Sequence, residues 1–294
     1  MKIIKTVYIA DDDEDDRMLL GDAISNIVSD AIIIEACDGT ELIDRIKRER
    51  PADESVILMD MNMPKMNGLE ALAIIKSDPD LIHIPIIMIS TASNPELITK
   101  AYLKGINAYI AKPYLLSEYE ELAKAVNTCF LHNYPAFDQS AVIKNLSTKN
   151  ILVIDDNPDE SKLIVLALKH SLPNVDVINM KDQATSIEFI SSQWEKFKAI
   201  PQLILLDLYL PDRNSGLGLL EVIKEFLVSH NLTTVPIIVL SQSDDPEDIK
   251  ASYRAQANAY MTKSSDLTVW FSFFSHLCHF WMDTIITENK LSKY

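Results

Sequence analysis

Short runs of apolar residues alternate along the first half of the chain with longer segments whose apolar residues recur at helical spacing. A short apolar run bounded by turn residues is typical of a strand buried on both faces, and the longer periodicity is typical of an amphipathic helix. The runs predict strands at 6–10, 32–37, 56–60, 86–90 and 108–111. The segments between and after them predict helices at 15–29, 39–50, 67–77, 95–104 and 116–132. This alternation predicts an α/β fold, with a parallel sheet, helices on both faces and right-handed crossovers.

The pattern stops at a stretch rich in Pro, Asn, Ser and Asp and then starts again. The segments SVILMDMNMPK, IPIIMISTA and NAYIAK recur as QLILLDLYLPD, VPIIVLSQS and ANAYMTK. The distance between equivalent positions grows only from 144 residues (Asp11 to Asp155) to 151 residues (Ser90 to Ser241), so insertions fall between the strand ends. We infer an internal duplication, with domains at 1–133 and 150–294 and a linker at 134–149.

Each half places the same five polar side chains directly after predicted strands. Because the carboxyl ends of parallel strands meet at one edge of a sheet, and strands 1 and 3 are neighbours in the order 2-1-3-4-5, we expect these groups to share one crevice. For a single position, a helix cap or a surface side chain is an equally good interpretation, but recurrence in the same order disfavours it. The residues are Asp11, Asp12, Asp60, Ser90 and Lys112 in the first half, and Asp155, Asp156, Asp207, Ser241 and Lys263 in the second.

Three carboxylates in one crevice repel one another unless a cation lies between them. Mg²⁺ prefers oxygen ligands, which the carboxylates and the backbone carbonyl of Asn62 or Tyr209, two residues after the central aspartate, would supply. A phosphoryl group in transfer spreads its charge over three oxygens, and Mg²⁺, a serine hydroxyl and a lysine ammonium can each hold one. The pattern therefore predicts Asp60 and Asp207 as nucleophiles that form an acyl phosphate.

Through these residues and the stretches LMDMNMPKMNG and LLDLYLPD, both halves resemble receiver domains of two-component response regulators. The resemblance covers nearly the whole chain and implies two flavodoxin-like, CheY-like (βα)5 domains with sheet order 2-1-3-4-5. It also implies Mg²⁺-dependent phosphoryl acceptance from a sensor histidine kinase or a His-containing phosphotransfer protein. By the same resemblance Tyr109 and Tyr260 occupy the aromatic switch position, turning inward when the serine binds the phosphoryl group. A tyrosine half-buried at the sheet edge is equally compatible with the sequence.

The two halves differ beside the predicted phosphoryl site. The residue after the serine is Thr91 in the first half and the longer Gln242 in the second, where the family prefers a small residue. The residue after the lysine is Pro113 in the first half, in a peptide bond that is usually cis in the family, and Ser264 in the second. Since a long side chain would cover the phosphorus, we expect the first domain to accept phosphoryl groups faster.

The last predicted helix is apolar on two sides. One stripe at helical spacing is enough to cover the sheet, whereas Val269, Phe273 and Phe280 fall on the opposite side. A second apolar face at a surface position predicts a partner interface. The segment is also similar to the last helix of response regulators paired with cyanobacterial phytochromes, which dimerise through that helix. We therefore expect a homodimer through this helix. The alternative is a helix buried against the first domain.

Composition excludes several other classes. The chain of 294 residues carries a formal net charge of −16, and both halves are acidic, which disfavours nucleic-acid binding. Its three cysteines are far apart, which predicts reduced thiols in a cytoplasmic protein. The charged N-terminus does not resemble a signal peptide, and polar residues interrupt the last apolar stretch, so we expect no membrane insertion.

We interpret the chain as a tandem-receiver response regulator without an effector domain, a phosphorelay or switch that acts through protein contacts rather than as a turnover enzyme. The alternative is an interaction scaffold in which only the first receiver is phosphorylated and the second is a dimerisation or docking module. A haloacid-dehalogenase-like phosphatase using Asp60 is disfavoured, because that family has an aspartate where this chain has Asn62.

Overall fold

The computed structural model describes residues 5–49, 51, 54–91, 94–131, 148–172, 174–193, 200–264 and 267–285. These residues form two compact units, one built on the first five strands and the other on the last five. Ile285 groups with the first unit and forms an isolated antiparallel bridge with Ile110. The predicted linker lies almost wholly outside the described residues.

The first unit is a five-stranded parallel sheet in the order β2-β1-β3-β4-β5, as predicted. Its strands are β1 (Lys5–Ala10), β2 (Ala31–Ala36), β3 (Glu54–Asp60), β4 (Ile86–Ser90) and β5 (Ala108–Ala111). Its helices are α1 (Glu14–Ile27), α2 (Gly39–Glu49), α3 (Gly68–Ser77), α4 (Pro95–Leu103) and α5 (Leu116–Phe130). Val56 to Met59 and Ile86 to Ile89 are all buried, which explains why these strands are continuous apolar runs.

The second unit repeats this topology, with sheet order β10-β9-β8-β6-β7. Its strands are β6 (Lys149–Ile154), β7 (Val175–Met180), β8 (Leu203–Asp207), β9 (Ile237–Ser241) and β10 (Ala259–Thr262). Its α-helices are α6 (Pro158–Ser171), α7 (Gln183–Glu188), α8 (Arg213–Ser229), α9 (Pro246–Arg254) and α10 (Leu267–Cys278). The π-helical segments Phe189–Gln193 and His279–Thr284 extend α7 and α10. The predicted fold class, two flavodoxin-like α/β domains, is confirmed.

The last helix corrects one prediction. Helix α10 packs on α6, and the two described aromatic residues of the predicted outer stripe, Phe273 and Phe280, are 7% and 0% exposed. Each packs edge-on against the ring that follows it in sequence, Phe274 or Trp281. Phe280 also lies in the π-helical segment, where the spacing of an α-helix no longer predicts the direction of a side chain. The prediction of an open apolar stripe for a homodimer is therefore wrong at these positions; the side chain of Val269 lies outside the described residues.

Two further sequence expectations concern the backbone and the membrane. The cis peptide bond in the described part of the chain is Leu210–Pro211, not Lys112–Pro113, so that expectation from the resemblance is wrong. No helix among the described residues combines the length and the apolar character needed to cross a membrane.

A partly buried lysine whose amine bonds within the fold recurs in both units. Lys76, near the end of α3, donates hydrogen bonds from Nζ to the carbonyls of Ile82 (3.0 Å) and Ile84 (2.8 Å). Lys224, in α8, donates to Oδ1 of Asn258 at 2.8 Å. Burial lowers the pKa of each amine to about 7.

These lysines predict a pH-dependent stability. An unfolded lysine has a pKa of about 10.4, so between pH of about 7 and 10 the unfolded chain binds more protons than the folded one, and the free energy of unfolding rises with pH. Each lysine contributes a slope of at most about 1.4 kcal/mol per pH unit. Lys76→Met is expected to flatten the rise, measured by urea unfolding at several pH values, whereas Lys47→Met at an exposed position of α2 should not. An unchanged slope in Lys76→Met would show that this amine stays charged in the fold.

Candidate functional site

Three carboxylates meet at the carboxyl edge of the first sheet. Asp11 and Asp12 follow β1 and Asp60 ends β3, and one ligand oxygen from each lies within 4.8 Å of the others. Asp11 and Asp60 are buried, while Asp12 is exposed. Backbone N–H groups orient the two buried carboxylates, since Asp13 donates to Oδ1 of Asp11 (3.0 Å) and Met61 to Oδ1 of Asp60 (2.7 Å). Such a set of close oxygens fits a divalent cation, which would offset their mutual repulsion.

The second sheet repeats this arrangement. Asp155, Asp156 and Asp207 also place ligand oxygens within 4.8 Å of one another. The N–H of Asn157 donates to Oδ1 of Asp155 at 2.9 Å, and that of Tyr209 to Oδ1 of Asp207 at 3.3 Å. Burial raises the pKa of Asp207 to about 6, although the charge of Lys263 opposes the shift.

The predicted carbonyl ligands follow each central aspartate at the same edge. Asn62 and Tyr209 each lie two residues beyond the end of their strand, β3 or β8, and both side chains are exposed. Their position is therefore compatible with the backbone role predicted for them.

Lys112 lies among carboxylates of the first unit. Its Nζ is 2.8 Å from Oδ2 of Asp11 and 2.6 Å from Oδ2 of Asp16. None of the ion pairs among the described residues joins Lys112 to Asp60. Although burial favours the neutral amine, the bonds to the two carboxylates raise the pKa of Lys112, so it is a permanent positive charge beside the predicted nucleophile.

Lys263 makes one more contact than its counterpart. Its Nζ lies 2.8 Å from Asp155, 2.7 Å from Glu160 and 3.1 Å from Oδ2 of Asp207. Burial opposes its charge, but the surrounding carboxylates raise the pKa of Lys263. The predicted nucleophile of the second unit is therefore already paired with the lysine.

The predicted serines and tyrosines are buried beside these groups. Ser90 ends β4 and Ser241 ends β9, and they are 1% and 0% exposed. Tyr109 and Tyr260 are both fully buried, so the interpretation as tyrosines half-buried at the sheet edge is wrong. Burial raises the pKa of Tyr109, and a hydrogen bond with Ser90 opposes the shift. Both tyrosines thus point inward.

Sequence reasoning missed two acidic residues, Asp16 and Glu160, which bind the lysines. Asp16 lies in α1 and Glu160 in α6, and their separation of 144 residues equals that of Asp11 and Asp155. The signal was therefore present in the repeat, as a matched acidic residue five positions after the first aspartate.

A second cluster, absent from the predictions, fixes the loop after β9. The carboxylate of Asp248 accepts hydrogen bonds from Ser243 Oγ (2.6 Å) and Tyr209 OH (2.8 Å), and forms an ion pair with Arg213. Tyr260 OH donates to the carbonyl of Ser243 at 2.8 Å, so the cluster reaches the inward tyrosine. By the repeat, Asn62 and Leu97 replace Tyr209 and Asp248 in the first half, which therefore cannot form the same cluster.

Comparisons with known proteins identify the family of this chain. The family model described as response regulator receiver domain matches residues 7–127 and, separately, residues 151–270. The response regulator Rcp1 of Synechocystis sp. is 33% identical over 138 residues, which are 47% of this chain and 91% of that protein. Chemotaxis protein CheY1 of Helicobacter pylori is 32% identical over 108 residues, which are 37% of this chain and 85% of that protein.

Solved structures give related matches. The phosphorylated cyanobacterial phytochrome response regulator RcpA is 31% identical with a TM-score of 0.43, covering 48% of this chain and 100% of that one. The Mn²⁺-bound form of Rcp1 is 33% identical with a TM-score of 0.41, covering 47% of this chain and 98% of that one.

Proposed function

Because this chain belongs to the family of response regulator receiver domains, we propose that it accepts phosphoryl groups on Asp60 and Asp207 in an Mg²⁺-dependent step of two-component signalling. The observation that carries the proposal is the duplicated constellation, in which three carboxylates, a buried serine and a lysine meet at the carboxyl edge of each sheet. No single one of these groups would be enough. With a divalent cation on the carboxylates, the cation, the serine hydroxyl and the lysine ammonium could each hold one phosphoryl oxygen.

The proposed chemistry is a displacement at phosphorus. A carboxylate oxygen of Asp60 forms a bond to phosphorus while the bond from phosphorus to the leaving group of the donor breaks. With a phosphohistidine donor, the imidazole nitrogen keeps the electron pair of the broken bond and is then protonated. Ser90 and Lys112 would each hold a phosphoryl oxygen. The Asp11, Asp12 and Asp60 carboxylates would hold Mg²⁺, which neutralises part of the charge when bound.

The proposed donor is a sensor histidine kinase or a His-containing phosphotransfer protein. Each aspartate takes up one phosphoryl group and passes it on or loses it to water, so the protein acts as a relay or switch and not as a turnover enzyme. A cytoplasmic location is part of the proposal and is supported by three free cysteines, of which Cys37 is exposed.

A second candidate function is a scaffold in which only the first unit is phosphorylated. Two contacts favour it: Lys263 already occupies Oδ2 of Asp207, and Gln242 Nε2 donates to Glu160 Oε1 at the rim of the same pocket. In this version the second unit is a docking module.

The proposal is tested by phosphoryl uptake from acetyl phosphate, followed by intact-mass spectrometry. With Mg²⁺ we expect the protein to gain up to two phosphoryl groups that hydroxylamine removes, as expected for acyl phosphates, and with excess EDTA we expect none. A protein whose mass stays unchanged in Mg²⁺, with acetyl phosphate and with phosphoramidate, would rule out both versions of the function.

The residue after the serine predicts unequal rates in the two units. We expect Asp60 to be labelled faster than Asp207 by about tenfold, a barrier difference of about 1.4 kcal/mol, because Gln242 and Glu160 bridge the second site. The rates are measured separately in Asp207→Asn and Asp60→Asn proteins. The reciprocal exchange is the matched control: Gln242→Thr should speed labelling of Asp207, and Thr91→Gln should slow labelling of Asp60. Equal rates in the two single-site proteins would contradict the prediction.

A further inference from the structure

In each unit, a carboxylate from the helix after the first strand binds the site lysine. Asp16 of α1 lies 2.6 Å from Nζ of Lys112, and Glu160 of α6 lies 2.7 Å from Nζ of Lys263. These distances are as short as those from the lysines to the first aspartates of each site. The lysines are shielded from water, since the side chain of Lys112 is 13% exposed and that of Lys263 is 3% exposed, while the side chains of Asp16 and Glu160 are 25% and 16% exposed.

A further side chain donates a hydrogen bond to each of these two carboxylates. Tyr119 of α5 donates its hydroxyl hydrogen to Oδ1 of Asp16 at 2.7 Å, which leaves Oδ2 for Lys112. Gln242 Nε2 donates to Oε1 of Glu160, which leaves Oε2 for Lys263. The supports come from different elements, so the two halves reach the same contact with different neighbours.

We propose that Asp16 and Glu160 are positioning residues that hold the site lysines before phosphorylation and compete with the phosphoryl group for them. The inference rests on the proposed phosphoryl acceptance at Asp60 and Asp207, and it concerns how readily each lysine becomes available.

The competition follows from the number of donors on the lysine. An ammonium has three N–H donors. Lys263 donates to Asp155 and Glu160 and forms an ion pair with Asp207 at 3.1 Å, so it must give up one of these contacts to bind a phosphoryl oxygen. Lys112 has two carboxylate partners, Asp11 and Asp16, and therefore has fewer ion pairs to give up than Lys263. Removing the competing negative charge should therefore favour the phosphorylated state in both units, and more strongly in the second.

The test uses isosteric amides with neighbouring charges as matched controls. In the full chain, Asp16→Asn is expected to raise the initial rate of Asp60 labelling by acetyl phosphate by about threefold, and Glu160→Gln that of Asp207 by up to about tenfold. Asp15→Asn and Asp159→Asn remove the same charge from exposed positions one residue away and should have little effect. Equal acceleration by the control variants would show that the loss of one negative charge alone explains the change in rate, and would overturn the inference.

A second readout tests whether the effect passes through the lysine. In a Lys112→Ala background, Asp16→Asn should no longer change the rate, because the partner for which the carboxylate competes is gone. An undiminished effect of Asp16→Asn in this background would overturn the positioning role.

A third readout does not depend on phosphorylation. The ¹⁵Nζ signal of Lys112 in the resting protein should shift in Asp16→Asn and not in Asp15→Asn. If the wild-type protein takes up no phosphoryl group, the proposed function fails while this signal still reports the ion pair. If uptake is normal and the Lys112 signal is the same in wild type and Asp16→Asn, the inference alone fails.

Discussion

Replacing Asp60 by Asn is expected to abolish phosphoryl uptake by the first unit, with a decrease of at least about 100-fold in an Asp207→Asn background. The amide has the shape of the carboxylate but no negative charge, and its oxygen is a poor nucleophile. Ser90 and Lys112 stay in place, so the loss isolates the nucleophile from its surroundings. The measurement is the rate of mass gain with acetyl phosphate and Mg²⁺. Asp44→Asn, at an exposed position of α2, is the control and should label at the normal rate.

The same variant provides its own test of folding. Asp60 is one of three carboxylates with ligand oxygens within 4.8 Å, and their repulsion destabilises the metal-free protein. Asp60→Asn should therefore unfold at a higher urea concentration than wild type in EDTA, and should gain less stability from Mg²⁺. Continued labelling of the doubly substituted protein at the wild-type rate would show that the nucleophile is elsewhere.

Gly216→Ala is expected to destabilise the second unit by about 3 kcal/mol or more. Gly216 lies in the first turn of α8, which packs against the backbone after β8, and a Cβ there would overlap the carbonyl oxygen of Leu208. No rotamer relieves a clash with backbone, so either the helix or the loop must move. Because Leu208 directly follows Asp207, the movement should also displace the predicted nucleophile.

Gly218→Ala is the matched control in the same helix. A Cβ at Gly218 meets nothing within 4 Å, and alanine is the better helix former by about 1 kcal/mol, so this variant should be slightly more stable than wild type. All three tryptophans of the chain lie in its second half. The change in tryptophan fluorescence during urea unfolding therefore reports on that half. Equal midpoints for Gly216→Ala and Gly218→Ala would contradict the close packing of α8 on the loop.

Much of the fold could be predicted from the sequence because the central strands are buried on both faces. Strand β4 and strand β5 begin and end at the predicted residues, and the other strands of the first unit differ by one or two positions. The first residue of a helix depends on local capping, so it can differ slightly from the predicted one. The side chain of Asp13 accepts from the N–H of Asp15, so α1 begins at Glu14 rather than one residue later.

The partners of the lysines could not be read from the sequence in the same way. Asp16 lies in the acidic run DDDEDD, and which of these carboxylates meets Lys112 depends on the phase of α1 and on the support from Tyr119. The inward direction of Tyr109 depends on side-chain rotation, which periodicity does not encode.

The last helix shows a different limit of periodicity. A projection at α-helical spacing placed Phe280 on an outer face, but the helix continues as a π-helical segment at His279. A pattern of apolar residues on two sides is typical both of an interface helix and of a helix buried all round. The sequence could not separate these, and the burial of Phe273 and Phe280 shows that these two positions do not form an open apolar face.

The most direct test of the central claim is to locate the acyl phosphate by chemistry. After labelling with acetyl phosphate and Mg²⁺, borohydride reduces an aspartyl phosphate to homoserine, and peptide mass spectrometry shows which residue has changed. We predict homoserine at position 60 and, more slowly formed, at position 207, with neither in EDTA. Homoserine at other aspartates only, or at none while the wild-type protein is folded, would contradict the assignment of Asp60 and Asp207 as phosphoacceptors.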